Sequence, residues 1–240
     1  MAYRRVGIHG LQQQTRNKEE FQKAGEALAI QQLEQMKNLL ATFKTNLEEF
    51  ATKHKKDIKR DPVFRMHFQR MCNNVGVNPL ASNKGFWSDI LGFGDFYYEL
   101  GVQIAEVCLA TRERNGGLID LGELMQLVTK MRGKTAQAIS MDDIIRSIKA
   151  LKPLGNGFDI VTIGSRSMVQ SVPRELDGDS TKVLSLAESK GYVSVQMVKS
   201  DLGWEDERIS KVLQTMLKDG ICWIDTQDRV HTYWVSGFFG

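Results

Sequence analysis

Cysteine and proline are scarce in this chain, with three and four among 240 residues, and no Asn-x-Ser/Thr acceptor occurs. Three thiols cannot all pair, and Cys72, Cys108 and Cys222 each sit among apolar neighbours, so they read as reduced core residues. Few prolines, 42% hydrophobic and 25% charged residues exclude a disordered or fibrous chain. No apolar run reaches the roughly 20 residues of a membrane helix, and residues 1–20 lack the apolar centre of a signal peptide. The expected setting is the cytosol or the nucleus.

Catalytic signatures are missing too. His9, His54, His67 and His231 are dispersed, without a His-Glu-x-x-His pair, and there is no Cys-x-x-Cys, Gly-x-Ser-x-Gly or Gly-x-x-x-x-Gly-Lys-Ser/Thr. The paired acids Glu48-Glu49 and Asp142-Asp143 lie in helical sequence, where solvation or capping accounts for them. Neither an enzyme nor a metal or cofactor site is expected. The stretch "GFWSDILGFGDFYYELGVQI", residues 85–104, imitates a phosphate loop but lacks the third glycine of Gly-x-Gly-x-x-Gly, and Asp95 stands where an anion would lie. It reads instead as a hinge and plug: Phe86 and Trp87 pack against the helical hairpin or a neighbouring subunit, Gly92 and Gly94 turn the chain, and Asp95 caps the next helix.

What is present is a polarity of charge. Residues 1–84 hold 15 Lys+Arg against 8 Asp+Glu, residues 85–172 hold 9 against 10, and residues 173–240 hold 8 against 11. A basic N-terminal third on a mildly acidic body is attracted to phosphate, whether of nucleic acid or of anionic lipid. Residues 1–20, with Arg4, Arg5, Arg16 and Lys18 but few apolar anchors, read as a flexible or weakly amphipathic segment.

Residues 21–84 read as a helical hairpin. Ala29, Leu33, Met36, Leu40, Phe43, Leu47 and Phe50 recur at steps of four and three, a heptad seam that calls for a helix packed along its length. Asp61-Pro62 then supplies an N-cap and a first-turn proline, opening a second helix with Phe64, Phe68, Met71 and Val75 on one face. Lys53, Lys55, Lys56 and Lys59 crowd the bend.

Beyond residue 84 one pattern occurs twice. Residues 85–172 read as helix, the short strand "LID", two further helices with Ser140 capping the last, and a hairpin around Gly164-Ser165-Arg166. Residues 173–240 repeat the order, with "YVSV" as the strand and "ICWIDTQDRVHTYWV" as the hairpin. This is the order of a winged helix, and two in tandem make a strong signal. The expected fold is mainly α with small β wings.

Winged helices commonly read DNA with the N-terminal end of their third helix. Here those ends begin Ser140-Met141-Asp142-Asp143 and Trp204-Glu205-Asp206-Glu207, and carboxylates oppose a polyanion. A DNA-binding regulator is therefore the weaker alternative. Aromatics crowd the second module instead, and Trp204, Trp223, Tyr233 and Trp234 are candidate anchors for a protein partner. Phe238 and Phe239 look least like core.

The strings "FKTNLEEFATKHK", "GFWSDILGFGDFYYELGVQIAEVCLA", "RNGGLI" and "GYVSV" carry a resemblance, over about Val6 to Val235, to the core winged-helix subunits of the ESCRT-II complex, of the Vps-twenty-two type. The resemblance implies a non-catalytic scaffold that pairs with a Vps-thirty-six type subunit and with Vps-twenty-five type subunits in a Y-shaped heterotetramer, one small subunit docking on the second winged helix. It implies sorting of ubiquitinated cargo into multivesicular bodies at the endosomal membrane, with ESCRT-I and ESCRT-III reached through other subunits. It also implies weak contact with anionic lipid through Arg4, Arg5, Arg16 and Lys18, aided by Lys53, Lys55, Lys56 and Lys59. The glutamines of "GLQQQTRN" thin that basic arm, so its contact is auxiliary.

Overall fold

A proline-free, heptad-patterned sequence produces one long helix, α1 (Ile8–Lys53), 46 residues and about 70 Å in length. The computed structural model describes residues 8–74, 76–77, 91–133, 135–152, 157–172 and 176–238, with side chains from Lys23 onward except those of Ala24 and Phe93. Helix α1 breaks at His54 into a short α2 (Lys55–Arg60). Asp61 then caps α3 (Pro62–Asn74) as its sequence predicts, accepting hydrogen bonds from the amides of Val63 (2.8 Å) and Phe64 (3.3 Å).

The turn-back packs where α1 ends. Leu47, Ala51, Ile58, Phe68 and Cys72 are buried together with Leu91 and Tyr97, and Phe50 stacks near Phe64 and Phe68 with ring centroids 6.1 Å away in each case. Among the described residues the shorter arm leaves the earlier seam uncovered, and Leu33, Met36, Leu40 and Phe43 remain exposed.

The first winged helix follows in the expected order: α4 (Phe93–Asn115), β1 (Leu118–Asp120), α5 (Leu121–Arg132), α6 (Met141–Leu151), β2 (Asp159–Ile163) and β3 (Arg166–Gln170). The N-terminus of α4 corrects one expectation. Gly92, at φ 60°, is the N-cap, and Asp95 lies inside the first turn, where its charge suits the helix dipole. Gly94 lies within the helix and turns nothing. The second winged helix comprises α7 (Gly178–Ala187), β4 (Tyr192–Ser194), α8 (Val195–Leu202), α9 (Asp206–Lys218), β5 (Cys222–Asp225) and β6 (Thr232–Val235), ending in a single 3-10 turn at Ser236–Phe238. Both sheets are antiparallel with the late strand in the centre, β1-β3-β2 and β4-β6-β5.

The two modules share a layer. Successive residues of a strand point to opposite faces, and the first sheet has core on both. Ile119 and Val169 face the first module's core, made by Leu100, Ile104, Leu124, Ile144 and Ile148. Leu118, Ile163 and Met168 face the second module's core, among Val183, Leu184, Ile209 and Leu213.

One buried ion pair ties the hairpin to the first winged helix. Arg65 of α3 is fully buried, and Asp143 of α6 is 1% exposed. The Arg65 guanidinium donates to both Asp143 oxygens (2.9 and 2.7 Å) and to the carbonyls of Ile58, Lys59 and Ala138. Tyr97 of α4 donates to Asp143 at 2.7 Å, and Gln69 donates to Tyr97. Asp143 also closes the capping box with Ser140. Burial would push the Asp143 carboxyl up, but the hydrogen bond and charge of Arg65, with Tyr97 and Ser140, outweigh it and hold it below the usual carboxylate range. Burial likewise opposes the Arg65 charge, and Asp143 more than restores it.

Removing either partner strands the other, so Arg65→Met or Asp143→Asn should cost about 3–5 kcal/mol in urea unfolding. A carboxyl depressed in the folded state contributes fully above its unfolded value near 4 and loses that contribution as pH falls through its lower folded value. The stability gap between the parent chain and Asp143→Asn should therefore be constant at neutral pH and close in acid below about pH 4; a gap independent of pH would contradict this account.

Candidate docking surfaces

The aromatic anchors separate once folded. Trp204, between α8 and α9, is 9% exposed and belongs to the second core. The Arg208 guanidinium covers its ring at 4.3 Å, held there by two hydrogen bonds to Asp179 (2.9 and 2.8 Å). Trp204 is thus a structural corner in this fold. Tyr233 also turns inward, against the same core.

Trp223 and Trp234 lie on the other face. They are register partners on β5 and β6, stacked at 5.8 Å and 13°, and Trp223 is 48% exposed. Tyr192 pairs with Trp234 from the other side, with centroids 4.7 Å apart. The result is a row of three rings across the sheet, Tyr192, Trp234 and Trp223, open at the Trp223 end. A shallow depression bordered by Tyr192, Met197, Arg229 and Val230 adjoins it. Tyr192 could not be found from composition, because its place in the row depends on pairing between strands far apart in sequence.

Phe238 departs from its expectation as a free anchor. It is half-buried against the second core, with the Arg166 guanidinium 5.9 Å from its ring. Phe239, Phe86 and Trp87 lie outside the described residues.

The basic residues fall into two sets. Arg4 and Arg5 lie outside the described residues, and Arg16 and Lys18 fall on α1, where the backbone alone is described. Lys53 ends α1, and Lys55, Lys56 and Lys59 follow on α2, so the break at His54 gathers them at one bend. His54 Nδ1 lies 3.3 Å from Asp57 at this bend.

In the first module both features of a DNA reader are occupied. The N-terminus of α6 is closed off by Arg65, and its other acid, Asp142, binds Arg146 at 2.6 Å. At α9, Asp206 accepts from Lys199. The first wing is clamped to the second module: Glu188 of the α7 C-cap accepts from the Ser165 amide and hydroxyl, and Ser185 accepts from the Gly164 amide. The hydrogen bonds from Ser165 hold the Glu188 carboxyl below its ordinary range.

Among the described residues no group of His, Cys, Asp and Glu could hold a metal, and no helix is long and apolar enough to cross a membrane. The three cysteines are free and buried, and burial pushes the Cys72 thiol up to about 11 and those of Cys108 and Cys222 to about 12. They offer no thiolate at neutral pH.

Fold and surface together define a tandem winged-helix protein. A family model described as the EAP30/Vps36 family matches residues 6–226, and the chain belongs to that family. It is 55% identical over 240 residues to vacuolar-sorting protein SNF8 of Xenopus tropicalis, covering all of this chain and 93% of that one. Among solved structures it is similar to a chain of the ESCRT-II endosomal trafficking complex, at TM-score 0.70 and 32% identity over 89% of this chain and 97% of that one. It also resembles a chain of the endosomal complex ESCRT-II (VPS22/VPS25/VPS36), at TM-score 0.65 and 33% identity over 85% and 93%.

The clamp can be tested at Gly164. Its φ of 58° is in the left-handed region, and a Cβ there would collide with the Glu188 carboxylate. Gly164→Ala should cost at least about 1–2 kcal/mol from backbone strain alone and should raise amide exchange at Ser165; unchanged exchange would argue against the clamp.

Proposed function

We propose that this chain is a non-catalytic scaffold subunit of an ESCRT-II complex, of the VPS22 type. It assembles with VPS36-type and VPS25-type subunits into a heterotetramer on the cytoplasmic face of endosomes. There the complex sorts ubiquitinated cargo into multivesicular bodies and bridges to ESCRT-III. The observation that carries this reading is the Tyr192, Trp234 and Trp223 row. A stack of large rings with one half-exposed face suits a partner's apolar side chains, because aromatic anchors dominate the energy of such contacts. We assign the row and its adjoining depression to the VPS25-type subunit. Tyr233 and Trp204 support the site from within the core.

The basic arm supplies the second contact. Arg4, Arg5, Arg16 and Lys18 reach anionic lipid, and Lys53, Lys55, Lys56 and Lys59 at the bend reinforce them. At about 1 kcal/mol per basic residue near such a surface, the arm adds to membrane binding supplied by other subunits.

Co-expression with the two other subunit types, followed by sizing, tests the assembly. A chain that ignores both and instead shifts a DNA duplex at moderate salt would favour a transcription regulator. Within the complex, Trp223→Ala should weaken binding of the VPS25-type subunit by at least about thirtyfold, the size expected of a hot spot, while changing the stability of the chain by less than about 1 kcal/mol. Replacing Arg4, Arg5, Arg16 and Lys18 with Ala should lower binding to acidic liposomes; equal binding across a salt series would remove the arm from the account.

A further inference from the structure

Among the described residues two apolar stripes remain uncovered, and each has what the other lacks. The first is on α1, where Leu33, Met36, Leu40 and Phe43 continue the heptad seam and are 55%, 62%, 47% and 39% exposed. The second is on the outer face of α4, where Tyr98, Val102, Ala105 and Leu109 recur at steps of four, three and four. Tyr98, Val102 and Leu109 are 42%, 56% and 59% exposed. One side of this second stripe is a groove walled by Leu151 and Phe158.

The flanks are complementary. Beside the α4 stripe, away from that wall, stand Glu99, Glu106 and Glu113, seven residues apart and exposed. Beside the α1 seam, in the same heptad position, stand Lys37 and Lys44, also seven apart and exposed. In an antiparallel helix pair, equivalent flanking positions lie on the same side, so the lysines of one helix meet the glutamates of the other. The opposite flank of α1 carries Leu39, 72% exposed, which would then fall against Leu151 and Phe158. One register sets Met36, Leu40 and Phe43 against Leu109, Ala105 and Val102, and brings Lys37 and Lys44 alongside Glu106 and Glu99.

We infer that α1 of one copy of this chain docks in the α4 groove of a second copy, a self-association separate from the heterotetramer and not resting on it. Among the described residues of one molecule both stripes are open, and the pairing is between molecules. Each copy offers both halves, and the exchange closes a dimer if it is symmetric or continues as a chain if it is not.

Charge exchange tests this on the full chain, by light scattering with sizing over a concentration series at low and moderate salt. The parent chain should self-associate, less so as salt rises. Lys37→Glu/Lys44→Glu should weaken self-association by about tenfold, and Glu99→Lys/Glu106→Lys by a similar factor. Mixing the two variants should restore it, because the acidic α1 of one then meets the basic α4 of the other and the reverse contact is untouched; restoration also shows that both variants fold. A parent chain that stays monomeric throughout, variants that associate as the parent does, or a mixture that fails to recover would each overturn the inference. None of those outcomes bears on binding of the other subunit types, which is read by co-expression.

Discussion

Everything from the hairpin to the first winged helix hangs on a charge that water does not reach. Arg65 is held by two carboxylate oxygens and three carbonyls, and these groups come from α2, α6 and the loop before α6. Such a pair contributes little net stability over apolar packing of the same shape, yet it admits very few geometries. Its effect is directional: it fixes how α2 and α3 sit against the first winged helix. The same contact occupies the end of α6 that would enter DNA, so the joint that makes an arm also removes a reading head.

The second constraint is the sheet that serves two cores. With Val169 facing one way and Met168 the other, the modules cannot slide without opening apolar surface to water. The Glu188 clamp on the wing tip adds hydrogen bonds across the same boundary. A protein built so presents its aromatic row, its α4 groove and its basic bend in constant relation, as a scaffold requires.

Much of this was legible beforehand. Local rules located Asp61 and Ser140 as caps, the Gly164-Ser165 turn, and the repeated winged-helix order, because each depends on residues a few positions apart. What escaped was non-local. Asp143 looked like a capping acid, and it is one, but its partner Arg65 is 78 residues away. Tyr192 joined the aromatic row only through pairing with β6. Trp204 counted as an anchor because aromatic surplus does not distinguish a core corner from an interface. Asp95, expected as the cap, stands three positions inside the helix, because the left-handed backbone of Gly92 already begins it.

The shared sheet has a consequence for how the chain is made. When residues up to Val172 have left the ribosome, the first module holds all its own strands, yet Leu118, Ile163 and Met168 still face water. They stay so until α7 and α9 arrive. The first half is born with an open apolar face, and the second half is its obligate cover, so synthesis passes through a stage in which the nascent chain offers a natural grip for chaperones.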